Sequence, residues 1–292
     1  MSLGSRLREL RRDAERSRAG ALLGRIAGRL REASATDFAA AMTYYGFLAL
    51  FPALIVLVAL LGLIGSYPET YNSIIDTLRE AAPGAVVETI DGALNDALRS
   101  RGTAGGLLGV GLVLALYSAT SGTGAALRGI RAIERADQRM PFVRGILTRL
   151  GLTLAVMLAL LVAFTAVLVA GPLFSDIGEA AGVGDAVKSA VSLARWPIGV
   201  AALITGATLL YRAAAIPRET RFAELLPGAL AASGLWIVAS VGFNAYVSNF
   251  SSYDATYGSL GAVIVLMIWI WVGNLALLAG AALNAELREE RR

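Results

Sequence analysis

The sequence predicts an all-α protein that crosses a membrane six times. Of its 292 residues, 56% are hydrophobic and only 16% are charged, whereas soluble domains carry about 25% charged residues. The mean hydropathy is +0.64, and the run from 255 to 285 contains no charged residue. Because about 20 apolar residues span the hydrocarbon core of a bilayer, such runs are typical of transmembrane helices. The predicted fold is therefore one polytopic membrane domain.

Six apolar segments, separated by charged connections, are the predicted spans. Thr36 and Asp37 offer an N-cap for the first span. Trp196 and Tyr211 flank the fourth span as interfacial anchors. The predicted spans are 38–64, 103–127, 146–170, 196–211, 225–247 and 257–283.

The segments outside these spans are predicted to be short and amphipathic or charged. Residues 1–37 are rich in Arg and carry Leu at helical spacing, which fits a basic helix on an anionic membrane face or a solvated tail. Short amphipathic helices are expected in the first and third connections, at 69–101 and 173–194. The transmembrane domain is expected to extend over 38–287, followed by a charged tail at 288–292.

The basic residues predict the orientation of the chain. Of the 26 Lys and Arg residues, only five lie in the connections on the side opposite to the termini. These five are Arg79, Arg99, Arg101, Lys188 and Arg195. Since basic residues concentrate on the cytoplasmic side of bacterial membrane proteins, both termini are predicted to be cytoplasmic.

Proline and small residues within the spans indicate kinks and close helix packing. Pro52 removes a backbone hydrogen bond from the first span and is expected to kink it. Gly105 and Gly109 form a pair with small-xxx-small spacing in the second span, which also contains Gly122. Gly261 lies near the start of the last span. Tight packing and a flexible gate both remain interpretations of the glycine-rich second span.

Several short motifs, in order along the chain, resemble a known family. They are Thr43 to Pro52 (TYYGFLALFP), Arg195-Trp196-Pro197, Tyr211, Leu226-Pro227-Gly228, Tyr246 to Phe250, Tyr257 to Gly261, and Asn284-Ala285-Glu286. On these motifs the chain is similar to the YihY/BrkB family of bacterial inner-membrane proteins, once labelled ribonuclease BN-like. The resemblance covers roughly residues 35–287. It implies a six-helix membrane fold and a role in envelope physiology, with transport of an envelope lipid as the leading proposal.

The chain departs from the family pattern at two positions. Ala49 stands where the family usually has Ser, and Ala282 stands where it often has Glu. The second departure removes a carboxylate near the predicted inner end of the last helix. Asn284 and Glu286 are interpreted as the end of that helix, meeting the cytoplasmic N-terminal arm.

The residue types argue against catalysis on RNA. A ribonuclease needs a general acid and base or a metal held by clustered carboxylates, yet the chain has no His and no Cys. Glu134 and Asp137 are the only acids of the second predicted cytoplasmic connection, which is too few for a metal cluster. No enzyme activity, metal or cofactor is predicted, and no nucleic-acid partner, because no aromatic residue interleaves with the N-terminal Arg residues.

Proton coupling is not expected either. Proton-coupled transporters place ionisable residues inside the membrane, but the centres of the predicted spans carry none apart from tyrosines, which are neutral near pH 7. Sodium binding by backbone carbonyls of broken helices remains an alternative.

Movement of an anionic lipid is the preferred functional hypothesis. Basic side chains at the cytoplasmic mouth would hold the phosphate, and polar side chains within the spans would line a path. The candidate residues are Arg128, Arg131, Arg144, Tyr44, Tyr45, Asn244 and Asn274. In the alternative interpretation the Arg residues only set topology and the Tyr residues only pack between helices.

A polar turn on the outer side is a candidate for ligand or partner contacts. Its residues are Asn249, Tyr253, Asp254 and Tyr257. They fit a tight turn or a contact with a periplasmic envelope protein, which is the predicted protein partner. A membrane scaffold for envelope machinery, docking through 69–101 and 173–194, is the alternative to lipid transport. The predicted location is the bacterial inner membrane.

Overall fold

Helices form all the regular structure that is described. The computed structural model describes residues 18–64, 104–136, 142–164, 185–215, 220–248 and 259–291. The described helices are α1 Arg18–Glu32, α2 Ala35–Ile64, α3 Ala104–Ile133, α4 Phe142–Phe164, α5 Asp185–Ala214, α6 Phe222–Ser248 and α7 Ser259–Glu289. This confirms the predicted all-α class over the described ranges.

Four segments of these helices are long and apolar enough to cross a membrane. They are Gly109–Ile133 in α3, Pro197–Ala214 in α5, Phe222–Phe243 in α6 and Val263–Glu289 in α7, found among the described residues. The chain is thus a multi-pass membrane protein. In the predicted first span the side chains of residues 51–64 lie outside the description, and the predicted third span continues past residue 164, where the description ends, so six crossings and the orientation of the termini stay predictions.

Three helices extend further than the predicted spans. α3 continues to Ile133, so that Arg128 and Arg131 lie on the helix and not in a connection. α5 begins at Asp185, which joins part of the predicted 173–194 helix to the fourth span. α7 continues to Glu289. The hydrocarbon core of the membrane excludes charged residues, but Arg and Glu are good helix formers. The first charged residues therefore mark the end of a membrane span, while the helix itself continues.

The other predicted connections lie outside the described residues. This applies to the basic segment before Arg18, to the amphipathic region 69–101, and to 173–184. Their predicted helices therefore stay predictions.

A sharp turn joins α1 to α2. Ser34 has a φ of 50°, and the amide of Ser34 donates to the carbonyl oxygen of Arg31 at 3.1 Å. Arg135, just after the end of α3, has the same left-handed conformation, with a φ of 52°. At such a helix end, the amides that follow the helix donate hydrogen bonds to its last carbonyl oxygens. Non-glycine residues adopt this conformation only where the surrounding structure holds them.

The contacts divide the chain into two compact units. The first comprises Met1–Ala39, Ala126–Ile237 and Leu275–Arg292. Among its described residues, the largest fully buried side chains come from the C-terminal part of α3, from α5, and from the start of α6 and the end of α7; they are Ile130, Ile133, Tyr211, Leu225, Leu278, Asn284 and Thr153 of α4. In this unit α4 packs against α5.

The second unit comprises Ala40–Ala125 and Val238–Asn274. Its described contacts are made largely by small and aromatic residues. A β-carbon added at Gly122 would lie 3.4 Å from Cβ of Tyr45, and one added at Gly46 would lie 3.9 Å from a methyl group of Ile270. Both distances are ordinary van der Waals contacts, so α2 lies beside α3 at Gly122 and beside α7 at Gly46, and the special packing role predicted for Gly122 stays a prediction.

Candidate functional site

A buried carboxylate at the end of α7 holds two arginines of α1. Glu286 Oε1 accepts a hydrogen bond from Arg29 Nε at 2.7 Å, and its Oε2 accepts one from Arg25 Nε at 2.8 Å. Arg25 also pairs with Glu290, and Arg29 pairs with Glu289. We call these five residues the arginine clamp. It ties the N-terminal helix to the end of α7.

The two arginines of the clamp differ in exposure. The side chains of Arg29 and Glu286 are only 5% and 6% exposed, whereas that of Arg25 is 43% exposed. Arg29 directs each nitrogen to a separate acceptor, since Nη2 lies 2.6 Å from Glu289 and Nη1 donates to the carbonyl oxygen of Ile133 at 3.2 Å. A buried charge is tolerated only when it is paired and hydrogen-bonded in this way.

The clamp raises the pKa of both guanidinium groups. Hydrogen bonding to Glu286 is the largest cause for Arg25. For Arg29, burial lowers the pKa, but the hydrogen bonds and charges of Glu289 and Glu286 more than offset it. A pKa that folding raises contributes stability that is fully present below the ordinary pKa of the group, which for Arg lies far above the physiological range. Both arginines therefore stay charged, and their contribution is present throughout the physiological range.

Two further ion pairs join neighbouring helix ends. Arg288 Nη2 lies 2.5 Å from Glu134 Oε1, where the Glu134 side chain is almost fully buried. The other oxygen of Glu134 and Nη1 of Arg288 have no partner among the described residues. Arg135 pairs with Glu32 at 2.7 Å on the surface. These pairs connect the end of α3 to α7 and α1.

Asn284, two residues before Glu286 of the clamp, fastens α7 to the start of α6. Its Oδ1 accepts from the amide of Gly228 at 2.7 Å, and its Nδ2 donates to the carbonyl oxygen of Leu225 at 2.9 Å. A β-carbon added at Gly228 would collide with the carbonyl oxygen of Gly280 and with Asn284. Only glycine permits this crossing, because every other residue carries that carbon.

Tyr211 of α5 reaches the same part of α7. Its hydroxyl donates to the carbonyl oxygen of Leu277 at 2.6 Å, and it lies directly beside Gly280. Three separate sequence motifs, containing Tyr211, Gly228 and Asn284, thus meet on α7. We call this set of contacts, together with the clamp and the Glu134–Arg288 pair, the interlocked end.

Sequence reasoning identified several of these motifs without recognising that they meet. It also missed Arg25, Arg29 and Arg288 as structural residues. The spacing of Arg25 and Arg29, one helical turn apart, was the available signal that both would face one partner.

The predicted headgroup residues in the first unit lie in different surroundings. Arg128 and Arg144 are exposed, and neither pairs with an acid in the described part of the chain. Arg131 is half-buried and already has an interaction. Among the described residues, Arg131 is thus engaged by the protein, whereas Arg128 and Arg144 are exposed.

α4 presents a continuous apolar face beside its basic end. Exposed side chains recur every three or four residues along one side of the helix: Val143, Ile146, Leu147, Leu150, Leu154, Met157 and Leu158. Two exposed arginines, Arg144 and Arg149, lie in its first turns. We call these residues the outward face of α4. The charge of its arginines is complementary to that of a lipid phosphate, and its exposed apolar side chains are compatible with acyl chains.

The predicted polar residues of the second unit form two small groups. The rings of Tyr44 and Tyr45 lie edge to face with centroids 5.4 Å apart, and Tyr44 is 55% exposed. Asn274 Nδ2 donates to Thr43 Oγ1 at 3.1 Å. Tyr45 and Asn274 therefore take part in helix contacts, whereas Tyr44 remains accessible. Asn244 lies on α6, and its side chain is outside the described set.

The remaining predicted residues are only partly located. α2 continues through Pro52, while Gly105 and Gly261 lie near the starts of α3 and α7. A β-carbon added at Gly109 would meet no described atom within 4 Å, so the described residues show no close approach there. The outer-turn residues Asn249, Tyr253, Asp254 and Tyr257 lie outside the described ranges. Within those ranges no group of three or more potential ligands could hold a metal ion.

Comparison with known proteins places the chain in a family. The family model described as "Virulence factor BrkB" matches residues 26–292. The chain is 30% identical over 258 residues to the "Putative ribonuclease-like protein YfkH" of Bacillus subtilis, which covers 87% of this chain and 90% of that protein. It is 27% identical over 265 residues to a "UPF0761 membrane protein" of Alkalilimnicola ehrlichii.

The coverage differs between these relatives. The Alkalilimnicola match includes 90% of this chain but only 57% of that relative's length, and no solved structure matches the chain. Because the family model covers most of the sequence, the resemblance inferred from the motifs is confirmed. The chain belongs to the BrkB family of membrane proteins.

Proposed function

We propose that this protein takes part in moving an anionic envelope lipid across or out of the bacterial inner membrane. The observation that carries the proposal is the outward face of α4. Its exposed apolar side chains suit acyl chains, and Arg144 and Arg149 suit a phosphate at the level of the headgroups. No other described helix combines an exposed apolar row with two exposed arginines in its first turns.

The proposal includes six membrane crossings with both termini in the cytoplasm. The concentration of basic residues at the helix ends of the first unit supports this orientation. The chain has no Cys, so a single introduced cysteine reports its own location. We expect a membrane-impermeant thiol reagent to label Asn249→Cys but not Ser2→Cys in intact cells. Labelling of Ser2→Cys alone would overturn the orientation.

The transport step is proposed to proceed without proton coupling. The described ion pairs involve residues of α1, α7 and the end of α3. Among the described residues of the predicted spans 225–247 and 257–283, side-chain hydrogen bonds join neutral groups, such as Trp269 Nε1 donating to Ser240 Oγ at 3.0 Å. A proton gradient is therefore not expected to change the rate of lipid movement.

Reconstitution into liposomes tests the transport proposal. We expect the purified protein to equilibrate a fluorescent phosphatidylglycerol between leaflets faster than empty liposomes. The variant carrying Arg144→Gln and Arg149→Gln should lose most of this activity, while Arg31→Gln, which removes an exposed charge outside α4, should not. Equal rates for protein-containing and empty liposomes would contradict transport and leave the scaffold interpretation.

The name of the Bacillus relative is not carried over to this chain. We propose that the protein does not cleave RNA, because it has neither His nor Cys to act as acid, base or nucleophile. Incubating the purified protein with labelled single-stranded and structured RNA, with and without Mg²⁺, checks this. Cleavage that follows the protein through gel filtration would overturn the proposal.

A further inference from the structure

The arginine clamp has two layers that differ in access to ligands. In the inner layer, Arg29 and Glu286 are both almost fully buried. In the outer layer, Arg25 is 43% exposed and its second partner, Glu290, is 54% exposed. A competing anion can therefore reach Arg25 but not Arg29.

The chemistry of the outer layer permits exchange. A guanidinium group binds phosphate with the same two-pronged geometry with which it binds carboxylate. If Arg25 leaves, Glu286 remains paired with Arg29, so no buried charge is left alone. Departure of Arg29 would instead leave the buried Glu286 with only the half-exposed Arg25 and would also free the carbonyl oxygen of Ile133. Only the outer layer can open at small cost.

The remainder of α1 suits contact with a membrane surface. Leu23 is 66% exposed, and Arg31 is exposed on the same helix. Leu23 and Arg31 lie about two turns apart on α1, and exposed apolar and cationic side chains on one helix are the pattern by which helices bind the interface of anionic bilayers. The anion that competes for Arg25 is thus expected to be a lipid phosphate.

We propose that α1 is a latch that senses anionic lipid. Phosphate headgroups of the membrane displace Glu286 and Glu290 from Arg25, and the N-terminal part of α1 moves away from α7 while Arg29 stays clamped. This proposal is independent of lipid transport, because it requires only that the helix end meets the membrane surface.

Spin-label distance measurements test the latch. Labels at Ala19→Cys and Arg291→Cys, both exposed positions, report the separation of α1 and the end of α7 in a chain without native cysteine. In nanodiscs of phosphatidylcholine we expect one short distance. Adding phosphatidylglycerol should raise the fraction with a longer distance by about two- to fivefold, the shift expected from loss of a half-exposed ion pair.

Two variants and one salt control make the test specific. In Arg25→Gln the distance distribution should no longer depend on phosphatidylglycerol, whereas Arg135→Gln, the same change at the exposed pair with Glu32 of α1, should retain the dependence. Inorganic phosphate in phosphatidylcholine nanodiscs, at matched ionic strength, distinguishes a free anion from the membrane as the competitor. Identical distributions in all lipids and salts, or a full response in Arg25→Gln, would overturn the proposal.

Discussion

The interlocked end and the outward face of α4 use the same residue type for different purposes. At the interlocked end, Arg29 and Arg288 are turned inward and paired with Glu286 and Glu134. On the outward face of α4, Arg144 and Arg149 are exposed. The comparison teaches that burial together with a carboxylate partner withholds an arginine from lipid, whereas an exposed arginine can meet an anionic headgroup.

Breaking the inner layer of the clamp should have the largest effect on stability. Arg29→Ala leaves the buried Glu286 with only the half-exposed Arg25 and removes the donor to the carbonyl oxygen of Ile133, so we expect a loss of about 3 kcal/mol in the free energy of unfolding. Arg31→Ala, on the same helix but exposed, should change it by less than about 0.5 kcal/mol. Denaturation in mixed detergent micelles, followed by circular dichroism, measures both. Equal stability of the two variants would show that the clamp is not structural.

Filling the glycine crossing should have the next largest effect. Gly228→Ala forces α6 away from Gly280 and Asn284, and overpacking of this kind costs about 1–3 kcal/mol. Gly234→Ala is the matched control, because a β-carbon there would meet no described atom within 4 Å. That change should leave stability unchanged or raise it by up to about 1 kcal/mol. A thermal aggregation assay in detergent compares them, and the comparison fails if Gly234→Ala is the more harmful.

Removal of a surface pair at the interlocked end should matter little. Arg135 and Glu32 are each more than half exposed, and exposed pairs contribute about 0.2–1 kcal/mol. Arg135→Gln should therefore lower stability slightly, and salt should reduce the difference from the wild type. Unfolding at low and high salt measures this. A large loss that salt does not change would mean that Arg135 has a buried role.

Removing the exposed arginines of α4 should have the smallest effect on stability. Arg144→Gln with Arg149→Gln is expected to change the free energy of unfolding by less than about 0.5 kcal/mol, while lowering lipid scrambling in the liposome assay. This combination is the reverse of that expected for Arg29→Ala. A marked loss of stability in the α4 variant would mean that these arginines are structural, like those of the clamp.

Much of the helical architecture could be predicted from the sequence. The long uncharged runs predicted the helices that contain the four described candidate spans, because a bilayer demands continuous apolar helices. The helix boundaries were predicted less accurately. α3 and α7 end later, and α5 begins earlier, than the predicted spans, because charged residues do not interrupt a helix. The family was also identified, from motifs that the family model confirms.

The candidate site was predictable only in part. Arg128 and Arg144 were expected to be available and are exposed, but Arg131 was grouped with them and is engaged. Tyr45 and Asn274 were predicted, together with Tyr44, to line a path through the spans, although both contact other helices. Residue type and spacing do not distinguish these cases, because availability depends on neighbours from distant parts of the chain.

By itself the sequence determined that the chain is helical, that it belongs in a membrane, and where basic residues accumulate, because these properties follow from local composition and period. Only the tertiary structure decided that Glu286 accepts both Arg25 and Arg29, and that Asn284 fills the crossing at Gly228. Such contacts join residues far apart in sequence. Their contribution to stability depends on folding, which buries both partners together and makes an unpaired polar group costly. The difference between a clamped and an available arginine is therefore a property of the fold.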